Sequence, residues 1–112
     1  MINTYHNNND IAVYIKLVTD WHYARNLIEG ATDQSQFVKL IEEVGELAGN
    51  ICRGKPIIDD IGDILVVLIN IAERNGLTLE ECLEHAYTEI KNRTGVMLNG
   101  QFIKQEGLPK AV

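Results

Sequence analysis

The chain has 112 residues, of which 46% are hydrophobic and 23% charged, and its net charge is −6. This length and composition predict one folded domain, residues 1–112, rather than a disordered chain. The acidic balance argues against binding to a nucleic acid polymer, which needs clustered Lys and Arg side chains. The longest apolar run, residues 64–69, is too short to cross a bilayer, so we expect no membrane association.

The cysteines and the first ten residues indicate the compartment. Cys52 and Cys82 are far apart in the sequence and match no metal-binding or redox spacing. We therefore expect two reduced, buried thiols. The first ten residues are polar and contain no apolar signal region. Together these features predict a cytoplasmic protein.

The first half of the chain predicts two helices. Apolar residues recur at helical spacing over residues 10–28, and Gly30 is expected to end this helix. Asp33 offers an N-cap for a second helix, which is expected to run to about residue 52. Gly54 follows as the residue that terminates it.

The second half predicts two more helices and a turn. Pro56 is suited to the first position of a third helix, which continues to about Arg74. Thr78 begins a capping-box sequence, so a fourth helix is expected from there to about Thr94. The dipeptide at 99–100, Asn-Gly, favours a tight hairpin turn. The fold class is therefore all-α, with four helices and a short C-terminal arm or hairpin.

The third helix is apolar on nearly all sides over residues 57–72. Such a helix has to be covered almost completely, and four helices of this size hardly suffice. We therefore expect a homo-oligomer, either a homodimer or a dimer of dimers. Gly45, Gly49 and Gly62 lower helix propensity, and we expect them to allow close approach between helices.

Two acidic clusters are embedded in this apolar pattern. Their members are Glu42, Glu43, Glu46, Asp59, Asp60 and Asp63. Carboxylates three positions apart on a helix project to one side, so two such pairs on facing helices can converge. Converging carboxylates repel each other unless a cation lies between them, and hard divalent ions prefer oxygen ligands. The spacing predicts a magnesium site between the second and third helices, although each acid taken singly is also explained by a solvated helix face.

These motifs resemble a known family. The segments KLIEEVGELA (39–48) and IDDIGDIL (58–65) are similar to the paired acidic motifs of the MazG-like nucleotide pyrophosphohydrolases, in the all-α NTP pyrophosphatase superfamily. Asp60 stands where the family usually has Glu. Residues 89–104 are similar to the C-terminal element of short, phage-type members. The resemblance implies a MazG-like bundle that hydrolyses a nucleoside triphosphate to a monophosphate and pyrophosphate with Mg²⁺, for which Mn²⁺ can substitute.

The resemblance also implies roles for individual residues. The expected metal ligands are Glu43, Glu46, Asp60 and Asp63, and the expected general base is Glu42 or Glu46. The expected contacts with the nucleotide come from Trp21, Lys39, Asn70, Lys91 and Arg93. A lone Trp at helical spacing such as Trp21 is more often a core residue, and Lys39 is also explained as one member of an i, i+4 ion pair. Lys91 and Arg93 also fit a simple complement to a helix dipole.

Two other functions fit the same residues. An all-α dUTP or phosphoribosyl-ATP pyrophosphohydrolase would share the metal site but act on a different substrate. A catalytically silent helical dimer that binds nucleotides or a protein is the alternative of another class, because Asp60 departs from the family pattern. Pyrophosphate release from a panel of nucleotides distinguishes these functions.

Overall fold

The structure is a computed structural model that describes residues 10–104. These residues form four helices and an antiparallel hairpin, so the prediction of a mostly helical chain is confirmed. The elements are α1 (Ile11–Ala24), α2 (Asp33–Cys52), α3 (Ile58–Arg74), α4 (Leu79–Ile90), β1 (Gly95–Leu98) and β2 (Gln101–Lys104). The chain falls into two compact units, one up to Leu79 and one from Glu80 onward. The first holds α1 to α3, and the second holds most of α4 together with the hairpin.

Helix α1 ends at Ala24, four residues earlier than its apolar pattern predicts. Asn26 has a φ of +55°, in the left-handed region that Asn tolerates better than most residues. The backbone N–H of Leu27 then donates to the carbonyl of His22 at 2.9 Å, which is the closing bond of a Schellman motif. The periodicity continues to Ile28 because this turn folds back and buries Ile28 in the core.

Helix α2 is capped by Thr32 rather than by Asp33. The Thr32 hydroxyl accepts a bond from the Ser35 backbone N–H, and the Ser35 hydroxyl accepts one from the Thr32 N–H. Asp33 is thereby available for a tertiary contact, in which its carboxylate accepts a bond from Arg74 Nε at 2.9 Å. At the other end, Gly54 has a φ of +67°, as predicted for the residue that terminates this helix.

Helix α3 packs against both α1 and α2 and contributes most of the core of the first unit. It begins at Ile58, two residues after the predicted start at Pro56, and Asp59 and Asp60 lie in its first turn. Its buried apolar side chains are Val67, Ile69 and Ala72.

Three predictions about local features are wrong. Helix α4 ends at Ile90 and not at about Thr94. Cys52 and Cys82 are free thiols, as predicted, but both are exposed. The glycines do not bring helices together within the described chain: apart from its chain neighbours and its own helix backbone, no described atom lies within 4 Å of a Cβ built on Gly45 or Gly62, and the atoms near Gly49 belong to Arg53 at the end of the same helix.

The predicted hairpin turn is confirmed. Leu98 pairs with Gln101 across a two-residue loop, and Asn99 and Gly100 have φ values of +52° and +79°. Two positive φ values define a type I′ turn, whose twist matches that of the strands. Between residues 10 and 104, no helix combines the length and the apolar character of a membrane span.

One face of α2 remains exposed and apolar. We call it the α2 stripe; it consists of Phe37, Ile41, Val44, Ala48 and Ile51. These residues are spaced alternately by four and three positions, which is the spacing of a helix–helix seam. Phe37, Ile41 and Ile51 each keep more than half of their surface accessible.

Candidate active site

Helices α2 and α3 bring three carboxylates together. Glu43 and Glu46 lie one turn apart on α2, and Asp63 lies on α3. One carboxylate oxygen from each of the three lies within 4.8 Å of the others. We call Glu43, Glu46 and Asp63 the carboxylate cluster. It contains three of the four residues that the sequence predicts as metal ligands.

Glu43 is the buried member of the cluster, with 6% of its surface exposed. Its Oε1 atom lies 3.1 Å from the Nζ atom of Lys39, one turn earlier on the same helix. Its Oε2 atom is buried and has no hydrogen-bond partner among the described residues. A buried carboxylate oxygen without a partner is costly, so this atom points to a ligand that the protein chain does not provide.

Asp63 reflects the repulsion within the cluster. Asp63 is exposed, but desolvation raises the pKa of its carboxyl above the ordinary value, and the charges of Glu43, Asp59 and Asp60 raise it further. Lys39 acts in the opposite direction but does not offset these effects. The site therefore has an excess of negative charge that a cation would relieve.

Asp60 lies outside the carboxylate cluster. It is buried, and its Oδ2 atom accepts a hydrogen bond from Asn50 Nδ2 at 2.8 Å. Asn50 follows Glu46 by one turn on α2, so this bond joins α2 to the first turn of α3. Asp60, whose side chain is shorter than that of Glu, holds α2 and α3 together beside the cluster through this bond. Its negative charge also acts on Asp63.

A cavity of about 450 Å³ opens beside the cluster. Helix α1 lines it with Leu17, Val18 and Trp21, and helix α3 lines it with Asp63 and Val66. Asp63 thus belongs both to the cavity wall and to the carboxylate cluster. The volume falls within the range of small-molecule pockets, and the lining is apolar apart from this one carboxylate.

The indole of Trp21 is held in place from two sides. The guanidinium carbon of Arg25 lies 4.5 Å from the centre of the Trp21 ring, in a cation–π arrangement. The imidazole of His22 meets the same ring edge-on, at 5.2 Å between ring centres. Trp21 remains 44% exposed, so the structure favours a pocket-lining position over the alternative of a core residue.

Asn70 is fully buried, and it does not line the cavity. Its Nδ2 atom donates to the backbone carbonyl of Leu27 at 2.9 Å and lies 3.2 Å from Nδ1 of His22. Its Oδ1 atom has no partner among the described residues. In this structure Asn70 joins α3 to the turn after α1, and no surface of it is open to a substrate.

His22 has a buried structural role in this region that the sequence does not indicate. It is buried, and its Nε2 atom lies 3.0 Å from the backbone carbonyl of Val66. Its partners follow it by 44 and 48 positions in the sequence, so no local pattern indicates them. The one sequence signal is the polarity of Asn70 on an apolar helix, which indicates a buried polar partner elsewhere.

The remaining predicted residues differ in their surroundings. Glu42 is exposed, outside the carboxylate cluster, with its Oε2 atom 3.9 Å from Lys39 Nζ. Lys91 and Arg93 belong to the second unit, where they follow the end of α4 and are exposed. The backbone N–H of Arg93 donates to the carbonyl of Ile90. Their predicted contact with phosphates stays a prediction.

The carboxylate cluster fits a divalent metal ion by its chemistry. All three donors are carboxylate oxygens, which Mg²⁺ and Mn²⁺ prefer. The Oε2 atom of Glu43 has no partner among the described residues, and the neighbouring carboxylates contribute to the raised pKa of Asp63, so a cation would be stabilised here. When bound there, such an ion neutralises phosphate oxygens and lowers the pKa of a water molecule.

Comparison with known proteins agrees with this geometry. The family model of the MazG nucleotide pyrophosphohydrolase domain matches residues 31–96, a range that contains the whole carboxylate cluster. A relative from Haemophilus phage HP1 (strain HP1c1), the "Uncharacterized 18.2 kDa protein in rep-hol intergenic region", is 44% identical over 68 residues. These residues are 59% of this chain and 42% of the relative, so the chain spans less than half of that protein. No solved structure matches the chain. Because the family model covers more than half of its residues, the chain belongs to the MazG nucleotide pyrophosphohydrolase family.

Proposed function

We propose that this protein hydrolyses a nucleoside or deoxynucleoside triphosphate to the monophosphate and pyrophosphate, in a reaction that depends on Mg²⁺. The observation that carries the proposal is the double position of Asp63, which lines the cavity beside Trp21 and belongs to the carboxylate cluster. A nucleotide whose base enters that cavity would have its phosphates at the cluster. Membership of the MazG family supports the same reaction class.

The roles of the individual side chains follow from their surroundings. Glu43, Glu46 and Asp63 would hold the metal ion, and the Oε2 atom of Glu43 has no other partner among the described residues. Glu42 or Glu46 accepts the proton of the attacking water, and both residues are exposed. Trp21 stacks on the base, since an indole face suits any planar heterocycle.

The cations have a separate role on the phosphates. The ammonium group of Lys39 lies 3.1 Å from Oε1 of Glu43, at the edge of the cluster. From there it can contact a phosphate oxygen while it stays close to Glu43. Lys91 and Arg93 would bind the outgoing pyrophosphate, for which a guanidinium offers paired hydrogen bonds. Neutralising the leaving group in this way lowers the barrier to attack at the α-phosphorus.

The active form is proposed to be a homodimer or a dimer of dimers. The α2 stripe supports this, because its spacing is that of a helix–helix seam and its residues are exposed within the described chain. A self-complementary seam along α2 would cover the helix that carries Glu43 and Glu46.

Hydrolysis of a nucleotide panel in ¹⁸O-labelled water with Mg²⁺ tests the proposed reaction. The panel includes the common triphosphates, dUTP and phosphoribosyl-ATP, which separates the two enzymatic alternatives. We expect the label in the monophosphate and unlabelled pyrophosphate as the second product. Label in pyrophosphate would contradict attack at the α-phosphorus, and no release from any nucleotide would favour the catalytically silent alternative.

A further inference from the structure

The cavity has two walls from two different helices, and one buried side chain ties them together. Leu17, Val18 and Trp21 of α1 form one wall, whereas Asp63 and Val66 of α3 form the other. His22 follows Trp21 directly and is 3% exposed. Its Nε2 atom lies 3.0 Å from the carbonyl oxygen of Val66, so it reaches from the first wall to the backbone of the second.

The hydrogen bonds define the state of the imidazole. A carbonyl oxygen can only accept, so Nε2 of His22 carries the proton that is donated to Val66. Nδ1 is then the acceptor, and it faces the Nδ2 amide of Asn70 at 3.2 Å. The same amide donates to the carbonyl of Leu27. Both ring nitrogens of this neutral tautomer are therefore bonded inside the protein.

The network fixes the end of α1 as well as its distance from α3. The carbonyl of His22 accepts the closing hydrogen bond of the Schellman turn from the backbone N–H of Leu27. The carbonyl of Leu27 in turn accepts a hydrogen bond from Nδ2 of Asn70. Backbone and side chain of His22 thus hold the last turn of α1, on which Trp21 stands. The imidazole also contacts the Trp21 ring edge-on.

We propose that His22 is a positioning residue for nucleotide binding: it sets the separation between Trp21 and the wall formed by Asp63 and Val66. The inference rests on the proposed function, since it concerns the pocket that would receive the base. His22 touches neither the carboxylate cluster nor a substrate. It acts through Trp21 and Val66, and its effect falls on binding rather than on the chemical step.

The position offers a matched pair of substitutions. The amide nitrogen of Gln in His22→Gln reaches about as far as Nε2 and can still donate to Val66, whereas His22→Asn is one methylene shorter and cannot. Both variants place the same functional group in the same site, so desolvation and polarity are closely matched. His85→Asn serves as an external control, because His85 is an exposed histidine of α4.

Trp21 is the only tryptophan of the chain, so its fluorescence reports on this pocket alone. The first measurement is acrylamide quenching of metal-free protein, which requires no activity. We expect His22→Asn to raise the quenching constant about twofold and His22→Gln to resemble the unaltered protein, as one lost hydrogen bond loosens the wall. Circular dichroism verifies that both variants are folded.

The second measurement separates binding from chemistry. We expect His22→Asn to raise two quantities about tenfold: KM, and the dissociation constant of a non-hydrolysable α,β-imido triphosphate. A tenfold change corresponds to the loss of about one hydrogen bond. The kcat value and the Mg²⁺ affinity measured by calorimetry should stay within about twofold of the unaltered protein, because the carboxylate cluster is untouched. His22→Gln should restore most of the nucleotide affinity.

Three results would overturn the inference. The first is that the Asn and Gln variants have equal quenching constants and equal nucleotide affinities. The second is that Mg²⁺ affinity and kcat both fall in proportion to a fall in Tm. The third is failure of both variants to fold, which would make His22 an ordinary core residue. If the unaltered protein hydrolyses no nucleotide, the proposed function fails, yet the quenching comparison still decides whether His22 positions Trp21.

Discussion

The Nζ atom of Lys39 lies 3.1 Å from Oε1 of Glu43, so the buried carboxylate of the cluster already has one cation beside it. The contact raises the pKa of Lys39, first through the hydrogen bond to Glu43 and then through its charge. A metal ion bound to the free oxygen of Glu43 would be repelled by this ammonium group. We therefore expect Lys39 to stabilise the metal-free protein and to oppose binding of a metal ion.

Lys39→Met tests this opposition. Without the ammonium group, Mg²⁺ should bind about three- to tenfold more tightly, the effect of one screened charge next to a ligand. The Tm of the metal-free protein should fall, because Glu43 loses its partner while remaining buried. Isothermal calorimetry and thermal unfolding in EDTA measure the two effects.

Lys16→Met is the matched control for that experiment. Lys16 and Asp20 form an i, i+4 ion pair of the same length, 3.1 Å, but both side chains are exposed and lie on α1. Loss of an exposed pair should change Tm little and Mg²⁺ affinity not at all. Weaker Mg²⁺ binding in Lys39→Met would instead mean that Lys39 helps to hold the site together.

Amide substitutions test the carboxylate cluster itself. Glu43→Gln, Glu46→Gln and Asp63→Asn should each lower turnover by more than about 100-fold. That loss exceeds the one typical of residues that hydrogen-bond to metal ligands without binding the metal ion themselves. Stabilisation of the protein by Mg²⁺ should largely disappear in all three. Asp59→Asn, an exposed acid on the first turn of α3, is the control and should retain both properties. Normal hydrolysis by the three amide variants would leave the carboxylates as a solvated face.

The raised pKa of Asp63 gives a pH dependence with a definite sign. A folded-state pKa above the ordinary value of 3.8 means that the folded protein binds this proton more tightly than the unfolded chain does. Stability therefore falls as the pH rises from the ordinary pKa through the folded-state pKa, and it stays lower above that window. Asp63→Asn removes this loss.

Thermal unfolding in EDTA at a series of pH values measures the difference. We expect Asp63→Asn to have the higher Tm at neutral pH, and the difference to vanish below the ordinary pKa, where Asp63 is protonated in both states. Mg²⁺ should stabilise the unaltered protein less as the pH falls through the raised pKa, because protons and metal compete for one oxygen. A Tm difference that is independent of pH would show that the substitution acts through packing.

The α2 stripe predicts that assembly of the oligomer and folding of the chain can be disrupted by different substitutions. Ile41→Glu should yield a helical monomer, because Ile41 is exposed within the described chain and would be covered only by a partner. Val67→Glu should unfold the protein, since Val67 is 4% exposed and a buried unpaired charge costs several kcal/mol. Sedimentation and circular dichroism distinguish the two outcomes, and Ile41→Leu keeps the stripe apolar as a control. A stable monomer in the unaltered protein would exclude the oligomer.

The features that could be predicted from sequence are those encoded by local spacing. Helix number, the turn at Asn99 and Gly100, the glycine that ends α2 and the convergence of Glu43, Glu46 and Asp63 all follow from periodicity or turn chemistry. Each of these depends on residues within a few positions of one another, or on two helices that the loop length forces to be neighbours.

The features that could not be predicted depend on distant partners. The apolar pattern extends α1 to Ile28, but it cannot reveal that Asn26 turns the chain back. Asp33 was expected as a cap, yet it bonds to Arg74, which lies 41 positions later. His22 carries no local signal at all, because its role is defined by Val66 and Asn70. Tertiary contacts, rather than propensity, decide each of these cases.

The two walls of the cavity differ in how freely they can change. The wall from α3 contains Asp63, so a substitution of that residue changes the cavity and the carboxylate cluster together. The wall from α1 contains Leu17, Val18 and Trp21 and carries no member of the carboxylate cluster. If the cavity receives the base as proposed, variation that shifts the preferred base can accumulate on α1, one side chain at a time, without altering the carboxylate cluster.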